Sequence, residues 1–314
     1  MCAHCGPRST DARPDGGRQF RLPPRRPPRR RPRRTPSPPP AISGSGPHRP
    51  PLHSTGTGVG DNNRGGVRAR KGRASVKARF DTTTTQVALA EEGVCLLPPD
   101  TVNAALGIEP SRWTRFAAHW DDLADDPYVA AHGTRRQRRY DRFSLTPANG
   151  ELDPLPHTPF IQPGHTNPLY PDVERHFAPL TAEFQSEPLM RALLLLLGRL
   201  ASALDDAATW TSYVHPMRVI ASADSQGDPT PEGRHRDGVT LVTSFFVGRR
   251  NATGGTTTVV TSAGEPLLTT ALDQPGTLLL CDDRRTLHQV SAIQPTDPAR
   301  PAFRDALVTT LVPA

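Results

Sequence analysis

The runs VTLVTSFFVG (residues 239–248), GTLLLCDD (276–283) and RDALVTTLVP (304–313) decide the fold class of this chain. Each run is short, rich in β-branched residues and bounded by Gly, Pro or Asp, which is typical of strands divided by turns. Four further runs of this kind occur: TWTSYVHPMRVIAS (209–222), GGTTTVVTSAG (254–264), PLLTTAL (266–272) and TLHQVSAI (286–293). Seven or eight strands within about 105 residues indicate a β-sandwich or barrel.

The segment before these strands has the pattern of helices. Aromatic and alanine side chains recur at helical spacing over residues 110–124, which predicts an amphipathic helix. Residues 173–204 are predicted to be helical with a break near Pro188, and the apolar second part, PLMRALLLLLGRLASAL, is predicted to be buried. Helices followed by strands predict an α+β domain with flanking helices on one outer sheet face.

Two segments between the helices bear on function. RRQRRYDRFSL (135–145) alternates in the manner of a strand with one charged face. Residues 150–172 are rich in Pro, Gly, His and Asn and are expected to form a long irregular loop, a kind of segment that is often functional.

The first 80 residues differ sharply from the remainder in charge. They carry 19 of the 38 basic residues and three acids, whereas the remaining 234 residues carry 19 basic and 28 acidic side chains. The proline and arginine runs of residues 1–80 cannot bury enough apolar surface to fold, so a disordered extension is expected before a domain at 81–314. A basic extension permits nucleic-acid binding, but its basic residues are arginines apart from Lys71 and Lys77, a bias that also suits a GC-rich genome, so nucleic acid is a minor alternative.

Cysteines and apolar runs limit the remaining classes of protein. Cys2 and Cys5 form a CxxC without a second pair, which does not complete a zinc site, and Cys95 and Cys281 lie in apolar runs. The start of the chain lacks an apolar signal core, and Leu193–Leu197 is too short to span a bilayer. We therefore expect a cytoplasmic protein without a membrane partner.

The segment PTPEGRHRDGVTLV (229–242) contains the pair of residues with the clearest chemistry. In an extended segment His235 and Asp237 point to the same side, while Arg236 points away. His288, at the start of another predicted strand, is the natural third ligand. Two imidazoles and one carboxylate on one face of a metal form the facial triad of non-heme iron(II) oxygenases and leave positions open for a co-substrate and O2.

Arg304 strengthens this interpretation. It lies 16 residues after His288 at the start of the last predicted strand. There a guanidinium can grip the distal carboxylate of a dicarboxylic co-substrate through two hydrogen bonds. The structural alternative for Arg304 is a salt bridge to Asp305 or another nearby acid.

Several segments resemble the bacterial 2-oxoglutarate/iron oxygenases that include the L-isoleucine 4-hydroxylase. They are PTPEGRHRDGV, NATGGTTTV, DDRRTLHQVSAIQP, RDALVTTL, DPYVAAHGTRRQRRYDRF, LPHTPFIQPGHTNPL and VERHFAPL, and the resemblance as a whole covers about residues 85–312. The resemblance implies a double-stranded β-helix (a cupin-like jelly roll) that binds Fe(II) through His235, Asp237 and His288. It further implies that Arg304 pairs with the C5 carboxylate of 2-oxoglutarate.

The activity implied by the resemblance is hydroxylation of a small molecule, in the family pattern a free L-amino acid, with release of succinate and CO2. Related iron halogenases lack the metal-binding carboxylate, so Asp237 favours hydroxylation. Desaturation and sulfoxidation remain open because they differ only in substrate placement.

Candidate substrate-binding residues follow from the charges of an amino acid, which needs a cation for its carboxylate and an acceptor for its ammonium group. The candidates are Arg138, Tyr140 and Arg142 on the charged strand, Gln162 and Asn167 in the loop, and Arg218. Arg218 alternates with apolar neighbours and is expected to face the barrel interior, whereas His215 is interpreted as structural.

Three alternative functions were weighed against this one. A jelly roll can bind a metal without turnover, but it would then need no dicarboxylate anchor such as Arg304. The arginine-rich extension can bind nucleic acid. An oxygenase of this type can also act on an amino acid that is tethered to a carrier protein.

Overall fold

The structure is a computed structural model that describes residues 81–109 and 111–314. Its helices are α1 (Thr82–Glu92), α2 (Pro99–Leu106), α3 (Arg112–Ala117), α4 (Ala182–Gln185) and α5 (Pro188–Ala201). Its early strands are β1 (Val94–Leu97), β2 (Ala124–Asp125), β3 (Arg135–Arg138), β4 (Asp141–Thr146) and β5 (Glu151–Pro154). Its later strands are β6 (Trp210–Ala221), β7 (Leu241–Arg250), β8 (Ala252–Gly254), β9 (Thr256–Thr261), β10 (Pro266–Ala271), β11 (Leu278–Asp282), β12 (Thr286–Val290), β13 (Ile293–Pro295) and β14 (Ala302–Pro313).

Antiparallel pairing organises the described strands into sheets. The major sheet has the order β1-β11-β7-β14-β6-β3-β2, and in addition β4 pairs with β6 and β5 pairs with β4. A three-stranded minor sheet has the order β10-β9-β12, and β13 pairs with β8. Antiparallel sheets of this kind with few helices are consistent with the jelly-roll fold of 2-oxoglutarate oxygenases.

One face of the major sheet packs against the helices. Leu241, Phe245 and Leu307 share a buried cluster with Leu193 and Phe184 of the helical segment. The next residue along each strand points to the opposite face, because side chains alternate across a sheet. Val242 and Phe246 accordingly belong to a second, smaller cluster with Val259 of the minor sheet.

Local signals fix the ends of the longer helices. Asp81 caps α1 by accepting a hydrogen bond from the Thr83 backbone N–H, at 3.0 Å. Gly93 ends α1 in the left-handed region (φ 73°), which glycine adopts without steric cost. Pro188 occupies the first turn of α5, where the absence of its N–H costs nothing.

Three expectations need correction. The predicted strand 135–145 is two strands, β3 and β4, separated by two residues. Residues 173–181 are not helical, because their backbone groups pair elsewhere, as when the Arg175 N–H donates to the Phe160 carbonyl oxygen. Nine strands follow residue 209 where seven or eight were expected, since TLHQVSAI divides into β12 and β13 and a short β8 precedes β9.

The predicted extension at residues 1–80, with Cys2 and Cys5, lies outside the described residues. Within the described part of the chain, no helix is both long enough and apolar enough to cross a lipid bilayer.

Candidate metal centre

Three side chains of the metal-binding type lie together between the sheets. His235, Asp237 and His288 each offer a ligand atom, and these atoms all lie within 4.8 Å of one another. His288 Nε2 is 3.6 Å from Asp237 Oδ2, and the two imidazole ring centroids are 4.4 Å apart. Among the described residues this is the group of His, Cys, Asp and Glu side chains arranged to hold a metal ion.

Backbone pairing brings the late histidine to the early pair. The His235 N–H donates to the His288 carbonyl oxygen at 3.0 Å, and the His288 N–H donates to that of His235 at 2.8 Å. Arg236, between the two residues of the motif, points away and donates to Ser262 Oγ on the exposed side. The two-residue period of extended backbone therefore separates the metal-facing side chains from the exposed arginine.

Asp283 holds the backbone that carries the motif. Its carboxylate accepts hydrogen bonds from the N–H groups of Asp237, Gly238 and Val239, at 3.0, 2.7 and 3.0 Å. Burial raises the pKa of the Asp283 carboxyl, with a further contribution from the nearby Asp237 carboxylate. Three N–H donors fix the turn after Asp237 and so fix the direction of its side chain.

The hydrogen bonds of the ligands leave the required atoms facing one another. His235 Nδ1 donates to the Gly233 carbonyl oxygen at 2.9 Å, which directs Nε2 towards the centre. Gln162 Nε2 donates to Asp237 Oδ1 at 3.2 Å, leaving Oδ2 towards His288. Burial, followed by the neighbouring His235, lowers the pKa of His288 to about 4, so His288 is the neutral imidazole that a metal needs.

The metal group opens into a cavity of about 310 Å³ between the major and minor sheets. Arg304 lines this cavity, and its side chain is only 5% exposed. Its Nε and one terminal nitrogen have no hydrogen-bond partner among the described residues. Burial, followed by repulsion from Arg249, lowers the pKa of Arg304 to about 10, so the group still carries its charge at neutral pH.

A buried guanidinium with unused donors is a site for an anion, because burying an unpaired charge is costly. Arg304 is not engaged in the salt bridge to Asp305 that was its structural alternative, since that acid pairs with Arg218. Gly255 gives Arg304 its space: a Cβ there would lie 3.2 Å from Arg304 Cδ, and the backbone has a φ of 71°. These residues fit a dicarboxylate that reaches from the metal group to Arg304.

Of the six substrate-binding candidates, Arg138, Gln162 and Asn167 line the cavity. Tyr140 and Arg142 do not, which corrects the expectation for both. They share a side of the sheet with Arg138, but Tyr140 is covered by His157 and Phe160. Arg142 donates to the Pro156 carbonyl oxygen, outside the cavity.

Arg218 does not face the barrel interior, so the expectation for this residue was wrong. Its cross-strand partner in β14 is Asp305, with which it forms two hydrogen bonds of 2.8 Å. It also contacts Asp121 at 3.0 Å. Arg218 therefore belongs to a salt-bridge group on the sheet face opposite the cavity.

Four charged or imidazole side chains that line the cavity were not predicted as site residues: Arg136, Arg175, Glu232 and His215. His215, interpreted as structural, lies in the same strand phase as Tyr213, Met217 and Val219, which also line the cavity. That period-two signal was visible in the sequence, but which phase faced inward was not. Glu232 Oε1 lies 3.4 Å from His235 Nε2, beside the metal group.

Comparisons with known proteins agree with this site. The model of the family described as 2OG-Fe dioxygenase matches residues 117–310. The crystal structure of a bsmA homolog from Methylobium petroleophilum is 33% identical, covers 76% of this chain and 96% of its own, and superposes with a TM-score of 0.68. No curated protein matches the chain.

Two solved structures of lower identity share the fold. The first, IDO from Bacillus thuringiensis, is 18% identical over 74% of this chain and 95% of its own, with a TM-score of 0.61. The second, the Fe(II)/α-ketoglutarate-dependent dioxygenase TqaL, is 16% identical over 74% of this chain and 86% of its own, with a TM-score of 0.59. Together with the family match, these findings show that the chain belongs to the 2OG-Fe dioxygenase family and is a 2-oxoglutarate-dependent dioxygenase that uses Fe(II), 2-oxoglutarate and O2.

Proposed function

We propose that this dioxygenase hydroxylates a free L-amino acid, and that succinate and CO2 are the co-products. The observation that carries the assignment of the site is the presence, in one cavity, of a His-Asp-His group and a buried arginine with unused donors. The amino-acid substrate is supported by the sequence resemblance to the isoleucine 4-hydroxylase group and by the charged side chains of the cavity wall.

We assign His235, Asp237 and His288 as the iron ligands. Two imidazoles and a carboxylate suit ferrous iron and leave coordination positions for 2-oxoglutarate and O2. The bound iron and co-substrate supply the oxidising power, and the protein supplies orientation and a site shielded from water. The carboxylate at position 237 favours hydroxylation over halogenation.

Arg304 is assigned to the C5 carboxylate of 2-oxoglutarate. Its unused Nε and terminal nitrogen offer the parallel pair of donors that a carboxylate accepts. The opposite end of the co-substrate, its keto acid, would then lie towards the metal group. The fold that holds both ends is, we infer, a double-stranded β-helix with helices packed on the outer face of the major sheet.

The alternatives are now unequal. Because the chain belongs to a family of dioxygenases, a non-catalytic metal-binding protein is no longer an alternative. Nucleic-acid binding would depend on residues 1–80, which lie outside the described part of the chain, so it stays an alternative. The cytoplasmic location stays a prediction. Oxidation of a carrier-tethered amino acid remains a second candidate, and the charge of the cavity wall distinguishes it from the first.

The co-substrate assignment is tested by Arg304→Gln. We expect 2-oxoglutarate to bind about 30- to 150-fold more weakly, because a charge-assisted pair contributes roughly 2–3 kcal/mol. The measurement is an anaerobic calorimetric titration of the Fe(II)-loaded protein, with Arg250→Gln on the neighbouring strand as the matched control. An unchanged affinity in Arg304→Gln would show that the co-substrate is held elsewhere.

A further inference from the structure

A group of three arginines lies in the cavity wall at a place distinct from Arg304. Arg136 and Arg138 project from β3, and Arg175 comes from the loop that follows β5. The acid within salt-bridge distance of this group is Asp126, whose side chain is fully buried. The three guanidinium groups therefore outnumber the carboxylate beside them.

Of the three arginines, Arg136 is the one that forms a hydrogen bond with the Asp126 carboxylate. Its Nε donates to Asp126 Oδ2 at 2.9 Å, whereas the nearest nitrogen of Arg138 is 3.8 Å from that oxygen. Arg138 instead donates through one terminal nitrogen to Nδ1 of His215. Arg175 donates through a terminal nitrogen to Oε1 of Gln162. Neither of these acceptors carries a negative charge.

Arg138 and Arg175 each keep an unused donor. The Nε atoms of both side chains are buried and have no hydrogen-bond partner among the described residues. Arg138 is 4% exposed and Arg175 is 3% exposed, so water does not cover them. A buried donor without a partner costs free energy unless a ligand supplies the acceptor.

Aromatic faces hold the two guanidinium planes in place. The Arg138 guanidinium lies 3.8 Å from the ring centroid of Phe177. That of Arg175 lies 4.8 Å from the centroid of Phe160 and 4.9 Å from that of Tyr170. Stacking occupies the faces of the two cations and leaves their N–H edges for an anion.

The electrostatic environment points the same way. Burial, followed by repulsion from Arg136, lowers the pKa of Arg138 to about 9. Burial and the neighbouring Arg136 likewise lower the pKa of Arg175. Both cations are thus destabilised by dehydration and by the neighbouring Arg136, and a bound anion would relieve both effects.

This arginine pair is connected to the metal group by a short chain of hydrogen bonds. Arg175 donates to Gln162 Oε1, and Gln162 Nε2 donates to Asp237 Oδ1 at 3.2 Å. Asn167 also donates to Gln162 Oε1, at 3.1 Å, so the amide orientation is fixed by two donors. An anion held by Arg138 and Arg175 would therefore be linked to the Asp237 carboxylate through a single intervening side chain, that of Gln162.

We propose that Arg138 and Arg175 form a second anion-binding site of this dioxygenase, which takes a free carboxylate of the substrate. The assignment rests on the proposed function, since it presumes that Arg304 holds the co-substrate. It also chooses between the two substrate candidates: a carrier-tethered amino acid has its carboxyl group consumed in the linkage and would leave both arginines unpaired. The substrate is a free acid.

The test compares acids with their neutral amides on the full-length enzyme. The probes are the twenty L-amino acids, added to Fe(II)- and 2-oxoglutarate-loaded protein without O2, and the thermal unfolding midpoint is measured. We expect at least one acid to raise the midpoint and its primary amide to bind at least about 100-fold more weakly, as for loss of a buried charge pair. If no acid binds better than its amide, the assignment is overturned, and this comparison needs no variant.

Variants then locate the site. Arg138→Gln and Arg175→Gln should each reduce the affinity for the acid by about 10- to 100-fold and leave the affinity for 2-oxoglutarate unchanged. Arg142→Gln, on β4 and outside the cavity, is the matched control and should bind as the wild type does. Wild-type affinity for the acid in both cavity variants would overturn the proposal.

The two proposals fail in different ways. If the loaded protein binds none of the amino acids or their amides, the proposed amino-acid substrate is itself wrong. If an amino acid and its amide bind equally well, the proposed substrate stands and only the second anion site is wrong.

Discussion

The two faces of the major sheet are built from the same strands, but one face is apolar and the other carries buried charged side chains. Towards the helices, Leu241, Phe245 and Leu307 join one continuous apolar cluster. Towards the cavity, the same strands present Phe246 and Val242 beside Arg304, and β6 presents His215. The helix face needs only volume and apolar surface, whereas the cavity face places buried charges whose hydrogen-bond partners are not all among the described residues.

The comparison predicts that changes on the cavity face alter chemistry and changes on the helix face alter stability. The largest effect is expected for Asp237→Ala, which removes the one carboxylate of the metal group. Succinate formation should fall to background, and Fe(II) affinity should drop with it. Arg236→Ala, on the adjacent residue that points away, is the matched control; comparable losses in both variants would mean that the turn itself, not the carboxylate, had failed.

On the helix face the expected loss is in the free energy of unfolding. Leu193→Ala in α5 removes a fully buried side chain and should lower the free energy of unfolding by about 2–5 kcal/mol. The measurement is urea denaturation, with the partly exposed Leu96→Ala of β1 as the control, where the loss should be much smaller. The affinity for 2-oxoglutarate should stay unchanged in folded Leu193→Ala; a large change would show that the two faces are not independent.

The smallest expected effect concerns pH and the buried imidazole of the cavity face. Burial, followed by Arg138, lowers the pKa of His215 well below its ordinary value of 6.5. The folded state resists protonation, so the unfolded state binds more protons and stability is lost as pH falls below about 6.5.

The contribution of His215 to the slope of the free energy of unfolding against pH is at most ~1.4 kcal/mol per pH unit. His215→Gln should flatten the dependence of the free energy of unfolding on pH between 6.5 and 5 by up to that amount. Denaturation curves at several pH values measure it. An identical pH dependence in wild type and variant would mean that His215 does not remain neutral in the folded protein.

Much of the site could be predicted from local pattern. The spacing of His235 and Asp237 predicts a shared side in any extended segment, and the structure has them so. Strand and helix character after residue 209 and around α5 likewise follow from composition. The separation of Phe245 from Phe246 onto different faces follows from the same two-residue alternation.

Local pattern predicts which residues of a strand share a face, but it does not predict which of them reach the cavity or which face is the inner one. Arg138, Tyr140 and Arg142 share one phase, yet only Arg138 reaches the cavity, because loop residues cover the other two. Arg218 has the opposite phase from His215, and only its pairing with Asp305 shows which phase faces inward. Arg175 came from a segment expected to be helical, so its place in the wall was not foreseen.

By itself, the sequence determined the periodicity of each segment, the shared side of His235 and Asp237 and the apolar character of α5. Those features are local, since they depend on backbone geometry over a few residues. The tertiary structure alone decided that His288 pairs with His235, that two Arg304 nitrogens have no partner among the described residues, and that Arg138 and Arg175 line the same cavity. Such contacts join residues far apart in the chain, and they form only where sheets and loops pack.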